Sequence, residues 1–150
     1  MEIKKLTPTA KIPTKGSKYA AGYDLYADNV KDLGCPEGWS LAINPGDTVK
    51  ITTGIAIALP PITFGGIYPR SGLATKQGLA PANKVGVIDE DYRGEIIVAL
   101  HNHSNIPQII HQGDRIAQLI VQPYCDISFI EVDELSTTDR GEGGFGSSGQ

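Results

Sequence analysis

Short apolar or alternating runs recur along the chain at Lys4–Leu6, Ser40–Ile43, Thr48–Leu59, Gly65–Tyr68, Gly94–His103, Gln108–His111, Arg115–Gln122 and Ser128–Val132. Their lengths suit strands. Within Thr48–Leu59, Val49, Ile51, Ile55 and Ile57 stand at even separations and so share one face of a pleat. In Gly94–His103, Ile96, Val98 and Leu100 alternate with Ile97 and Ala99, which predicts a strand buried on both faces. Asn44-Pro45-Gly46-Asp47, Pro60-Pro61 and Gln112-Gly113-Asp114 supply chain reversals between the runs. Only Ser71 to Gly78 reads as helix, about two turns long, with Ser71 as N-cap and Gly78 as the C-terminal stop. The pattern predicts an all-β sandwich or barrel-like sheet pair. After residue 135 the periodicity ends, and 136–150 reads as a flexible, glycine-rich tail around one aromatic, Phe145.

Composition sharpens this picture. The chain of 150 residues fits one domain, and its 18 glycines and 10 prolines disfavour long helices. A net charge of -4 gives no sequence-independent attraction for a phosphate backbone, so no nucleic-acid polymer is expected as partner. The apolar stretches are too short to span a bilayer, and the Met1-Glu2-Ile3-Lys4-Lys5 start lacks a signal peptide's apolar region. The expectation is a soluble cytoplasmic protein with no membrane partner, or a host-cell intracellular one if the source is viral. Cys35 and Cys125 lie far apart with no CxxC partner and read as free thiols.

Three segments carry candidate chemistry. In the tail, Gly141 to Gly146 formally satisfies G-x-G-x-x-G, but no helix follows and no P-loop lysine is present. What it offers is backbone N–H donors, hydroxyls, a guanidinium and a ring, a set suited to a polyphosphate and a base. Between Gly86 and Glu95 an acidic cluster interrupts two apolar runs where a hairpin is expected, with Asp89 just beyond Val87 and Ile88, both read as buried. A carboxylate so held can orient a water and accept its proton, though only as a weak base. Pro69 to Ala74 places Arg70 where a strand passes into the short helix, a setting for phosphate. His101 and His103 share a strand face, but no carboxylate or cysteine stands at ligand spacing, and a solvent-facing or subunit-facing pair is the better reading.

Taken together, Ala21-Gly22-Tyr23-Asp24-Leu25-Tyr26-Ala27, Pro69 to Ala74, Gly86 to Glu95, Arg115-Ile116-Ala117-Gln118-Leu119-Ile120 and Arg140 to Gly149 resemble, in order, the five motifs of the trimeric dUTP pyrophosphatases. The resemblance implies a distorted jelly-roll or β-clip subunit, residues 1–135, with a lid at 136–150, assembled as a homotrimer with shared sites. It implies hydrolysis of dUTP to dUMP and pyrophosphate by in-line water attack on the α-phosphorus, lowering dUTP and supplying dUMP for thymidylate synthesis. On this resemblance Asp89 orients the water, and Gln118 lies near the α-phosphate. Arg70, Ser71 and Gly72 lie near the α and β groups. Tyr92 packs on the deoxyribose, and Asn83 with the backbone of Gly86, Val87 and Ile88 reads the uracil. Arg140, Gly146, Ser147 and Ser148 close over the β and γ groups while Phe145 stacks on the base. Mg²⁺ is held mainly by the triphosphate and waters, with Asp24 touching it only through water. One chain supplies the first, second and fourth motifs, another the third, and another the tail. A dCTP deaminase of the same fold is the nearest rival, and a non-catalytic nucleotide sensor is another; the Asp89 segment and the complete tail argue against the first. Gly34 to Ser40 has no expected role beyond a loop.

Overall fold

The computed structural model describes residues 1–144. Phe145, Gly146, Ser147 and Ser148 therefore lie outside the described residues. The chain forms β1 (Glu2–Lys5), β2 (Thr14–Lys15), β3 (Tyr23–Tyr26), β4 (Asn29–Val30), β5 (Ser40–Ile43), β6 (Thr48–Thr52), β7 (Ile55–Ala58) and β8 (Thr63–Tyr68). Then follow the helix α1 (Ser71–Gln77), β9 (Leu79–Pro81), β10 (Gly86–Ile88), β11 (Ile97–Asn102), β12 (Gln108–His111) and β13 (Arg115–Pro123). Among the described residues no helix is long and apolar enough to cross a membrane.

The strands make four open sheets, ordered β1-β7, β10-β8-β13-β3-β2, β4-β6-β11-β9 and β12-β5. Among the described residues all pairings are antiparallel, and none of the sheets closes into a barrel. Every sheet contributes to one core: Ile55 and Ile57 from the first, Leu25, Ile67 and Leu119 from the second, Ile51, Leu79 and Leu100 from the third, Ile43 and Ile110 from the fourth. The five-stranded sheet matters most for function, because β8, β13 and β3 lie side by side in its middle.

Several expectations are corrected. The Thr48–Leu59 run is two strands in different sheets, broken at Gly54, whose φ of 66° turns the chain away. A Cβ there would sit 2.6 Å from that of Ala10 and 2.7 Å from the Asp28 carboxylate, so the break requires glycine. Strand β11 is buried on one face only: Val98, Leu100 and Asn102 are buried, whereas Ile97, Ala99 and His101 are half-exposed. Ser71 is not the N-cap; Arg70 holds that position without a side-chain cap, and Ser71 is the first helical residue. Gly78 does end the helix, in the left-handed conformation. Ser128–Val132 is not a strand in the single chain. Among the described residues no strand pairs with it, and Phe129 and Ile130 are 92% and 83% exposed.

The Gly34–Ser40 segment is more than a loop. Trp39 is buried in the core, and its indole N–H donates to the Asp28 carbonyl at 2.9 Å. Asn29 clamps the Cys35 backbone on both sides, accepting from its N–H at 3.0 Å and donating to its carbonyl at 3.2 Å. Both cysteines are free thiols.

Candidate active site

The register of the five-stranded sheet does most of the work of assembly. Gln118, in the middle of β13, stands opposite Asp24 of β3 on one side and Tyr68 of β8 on the other. Three segments far apart in sequence therefore meet at one end of the sheet. Arg70 lies just past the end of β8, where the chain enters α1.

Asp24 is 8% exposed and is held between two guanidinium groups. Arg70 Nε donates to its Oδ1 at 2.7 Å and Arg115 Nη1 to its Oδ2 at 3.1 Å. Arg70 also donates to the Arg115 carbonyl at 3.3 Å. Two charge-assisted hydrogen bonds from separate guanidinium groups, one to each oxygen, hold this nearly buried carboxylate in a single orientation. Gln118 is fixed by donating its amide N–H to the Pro69 carbonyl at 2.8 Å. Gly22 leaves room for that amide, since a Cβ at this position would collide with it. Around these groups lies a pocket of about 190 Å³ lined by Gly16, Ala20, Gly22, Asp24, Arg70, Ser71, Gly72, Arg115 and Gln118. It holds guanidinium, hydroxyl and amide donors, a composition suited to phosphate oxygens. It is too small for a whole nucleoside triphosphate, since pockets for drug-sized ligands run from roughly 300 Å³ upward.

Asp24, Arg70, Ser71, Gly72 and Gln118 are thus brought together. Arg115 joins them although sequence reasoning passed over it; its place in the fourth motif was the only signal, and its pairing with Asp24 appears only in three dimensions.

The Asp89 segment lies elsewhere. Strand β10 pairs with β8, Ile88 opposite Gly65, so Asp89 follows toward the Phe64 end of that strand. Gln118 and Asp24 align with the Tyr68 end. Four residues at roughly 3.3 Å each separate the two levels by roughly 13 Å along the strands. Asp24 is also three strand spacings of roughly 5 Å away from β10 across the sheet. No single water reaches both.

Nor is this segment the expected hairpin. The strand before Asp89 pairs with β8, while β11 after it pairs with β6 and β9 in another sheet. A turn closes from the Tyr92 N–H to the Asp89 carbonyl at 3.1 Å. It is held by Tyr92 donating to the Glu95 carbonyl at 3.0 Å, Arg93 donating to the Glu90 carbonyl at 2.6 Å, and Glu90 accepting from the Ile62 N–H at 2.7 Å. Val87 is 60% exposed and Ile88 half-buried, contrary to the reading of both as buried, because β10 is an edge strand with one neighbour. Asp89, Glu90, Asp91, Val87, Phe64 and Tyr124 line a groove of about 690 Å³. Desolvation, then the Glu90 carboxylate, push the Tyr124 phenol above its usual range.

Asn83 is exposed in the turn after β9, where Lys84 takes a φ of 64°. His101 and His103 stack edge-on at 4.3 Å with Lys84 Nζ 3.4 Å from His103 Nε2, and local desolvation followed by that ammonium holds His103 below the ordinary histidine range. Among the described residues no group of three metal-binding side chains occurs. Arg140 lies exposed, its Nε donating to the Gly143 carbonyl at 2.8 Å.

Comparison with known proteins shows the family to which the chain belongs. The family pattern described as dUTPase matches residues 8–149. A deoxyuridine 5'-triphosphate nucleotidohydrolase of Candida albicans is 46% identical over 146 residues, covering 96% of this chain and 84% of its own. One of Nautilia profundicola is 46% identical over 153 residues, covering 100% and 99%. Among solved structures, a Staphylococcus bacteriophage 80alpha dUTPase variant with dUpNHpp superposes with a TM-score of 0.84 at 25% identity, over 99% of this chain and 98% of that one.

Proposed function

The chain belongs to the dUTPase family and hydrolyses dUTP to dUMP and pyrophosphate, and from that premise we propose that each working site is completed between chains of a homotrimer. The observation that carries this reading is the distance just described. Asp24, Arg70 and Gln118 stand at one end of the sheet and Asp89 at the other, too far apart to act on one phosphorus within one chain. A head-to-tail contact that closes on itself by rotation presents one half-site to the other at every interface. The apolar residues Ile127, Phe129, Ile130, Val132 and Leu135, all exposed in the single chain, support such an association, since an uncovered apolar segment marks a contact surface.

In this reading the α and β phosphates sit on Arg70, Ser71 and Gly72, with Gln118 at the α-phosphate. The neighbour's Asp89 orients a water in line with the bond to be broken. The water oxygen bonds to the α-phosphorus, its proton passes to Asp89, and the bond to the bridging α–β oxygen breaks to release pyrophosphate. The Arg70 pocket holds charge in place before the reaction, so little reorganisation is needed as negative charge develops. Tyr92 excludes a ribose 2'-hydroxyl. Asn83 and the backbone of Gly86, Val87 and Ile88 read uracil, where cytosine's reversed donors and acceptors would remain unpaired. Residues 136–150 form the lid, with Arg140, Gly146, Ser147 and Ser148 over the β and γ groups and Phe145 on the base.

The donor set also bears on the metal. Both Asp24 oxygens already accept from arginines, and two guanidinium charges beside it disfavour direct ligation of a cation. Its remaining lone pairs allow contact through water, which suits Mg²⁺ carried on the triphosphate with most of its hydration kept. When bound there, the ion screens phosphate charge and fixes the chain of phosphates.

The test is to incubate the protein with Mg²⁺ and dUTP, dCTP, dTTP or UTP separately, following pyrophosphate and ammonia. Pyrophosphate from dUTP well ahead of the other three is expected; ammonia from dCTP, or UTP cleaved as fast as dUTP, would overturn the base and sugar reading. For Arg115, whose role is to hold Asp24 and through it Arg70, the Arg115→Gln chain should lose about tenfold or more in kcat/KM, because small misplacements of a positioning group are costly. Its thermal midpoint should fall only slightly, since Arg115 is half-exposed. A variant with full kcat/KM would remove Arg115 from the site.

A further inference from the structure

The substrate is a polyanion and the chain carries a net charge of -4, so the field of the whole molecule opposes the encounter. The charge is not spread evenly. Lys4, Lys5, Lys11, Lys15 and Lys18 against Glu2 give the first 20 residues +4, which leaves -8 for the other 130. This basic stretch runs beside the phosphate pocket. Strand β2 pairs with β3, Thr14 opposite Asp24 and Lys15 opposite Tyr23, and Gly16 and Ala20 are part of the pocket wall.

Three of these lysines are held in place by rings instead of carboxylates. Lys11 Nζ lies 5.3 Å from the Tyr26 centroid, Lys15 Nζ 5.0 Å from that of Tyr23, and Lys18 Nζ 5.3 Å from that of Tyr19. On β3, Tyr23 immediately precedes Asp24 and Tyr26 stands two residues beyond it. Lys11 also passes over Gly113, where a Cβ would lie 2.6 Å from its ammonium, two residues before Arg115. Among the described residues, the salt bridges involve Lys31, Arg70 and Arg115 and none of these three. A ring restrains an ammonium without cancelling its charge. A paired lysine would be restrained and silent; these are restrained and still charged.

We propose that Lys11, Lys15 and Lys18 form an electrostatic collar that draws the triphosphate toward the Arg70 pocket, acting on the encounter and not on bond breaking. This rests on the reading that the phosphates seat at Arg70. A local positive field on an otherwise negative molecule both attracts the polyanion and orients it, phosphates first, and such fields raise association rates by about 10–10³-fold. Exposed charges are screened by salt, with a Debye length of about 8 Å at physiological ionic strength and about 3 Å at 1 M, so the contribution vanishes as salt rises.

The experiment follows kcat and kcat/KM for dUTP from low to high NaCl in four proteins: the unmodified chain, Lys15→Gln/Lys18→Gln, Lys31→Gln/Lys50→Gln and Arg70→Gln. The second pair removes the same two charges from β6 and the segment bonded to it, away from the pocket. Lys15→Gln/Lys18→Gln should lose about three- to tenfold in kcat/KM at low salt. Its kcat should stay within a factor of about two, and the deficit should close as the field is screened. Lys31→Gln/Lys50→Gln should follow the unmodified protein. The collar is overturned if the two lysine pairs behave alike, or if the Lys15/Lys18 deficit persists undiminished at high salt. Arg70→Gln separates the premises: if it is impaired at every salt while the Lys15/Lys18 pair shows no special salt dependence, the collar alone fails. If Arg70→Gln retains full activity, the phosphate seat itself is wrong.

Discussion

Replacing Asp89 by Asn should lower turnover of dUTP by at least about 10²-fold while a non-hydrolysable dUTP analogue still binds with near-unchanged affinity. Asn keeps the volume of the side chain and removes its capacity to take a proton. The turn that carries residue 89 does not depend on this carboxylate, because Tyr92, Arg93 and Glu90 supply its side-chain hydrogen bonds. The loss should therefore fall on kcat, with the fold and the neighbouring groove intact by thermal midpoint. Asp89 is also solvent-exposed in the single chain, so the substitution leaves no buried charge unpaired. A variant turning over at full speed would remove Asp89 from the mechanism. One that lost analogue binding in step with turnover would make it a binding residue instead.

The sequence made the strand-rich architecture legible because apolar residues recur at the pleat's spacing of two, as at Val49 and Ile51 in β6 and at Val98 and Leu100 in β11, where burial follows the same alternation. It was less informative where identity of the partner strand mattered. Val49 to Ile57 keeps its alternation through Gly54, so nothing local announces that the chain changes sheets there; the reason lies in Ala10 and Asp28, over twenty residues away in either case. The segment around Asp89 looks like a hairpin because two apolar runs flank a turn, but β8 and β6 outcompete that local pairing. Ser128–Val132 has a strand's composition and lacks only an edge to pair with. Of the candidate site, Arg70 was legible from its place where a strand passes into the short helix, Asp24 and Gln118 only through resemblance, and the register of β13 against β3 and β8 sets Gln118 between those two strands. Arg115 was missed because its partner stands 91 positions away. Trp39 was missed because a lone tryptophan in a glycine- and proline-flanked loop has no periodicity to betray burial.

Mixing two inactive chains should restore activity if the half-sites come from different molecules. An Asp89→Asn chain retains the Arg70 pocket, and an Arg70→Gln chain retains Asp89. Within a trimer built only of one kind, every site lacks one of the two groups. When the two kinds are unfolded together in equal amounts and refolded, a site is complete whenever an Asp89→Asn chain contributes the pocket and an Arg70→Gln chain contributes the acid. Random assembly makes that so for about one site in four, so the mixture should recover about a quarter of the unmodified rate. Neither variant removes a core residue, so assembly should remain near random. If each chain carried a whole site, mixing would restore nothing, since no chain in the mixture holds both groups. The same chains mixed without unfolding serve as the control, and any slow rise in their activity measures exchange of subunits between trimers. A mixture as inactive as its components would return Asp89 and Arg70 to one chain, and the roughly 13 Å between their levels along the strands would then have to be closed by a change in the sheet itself.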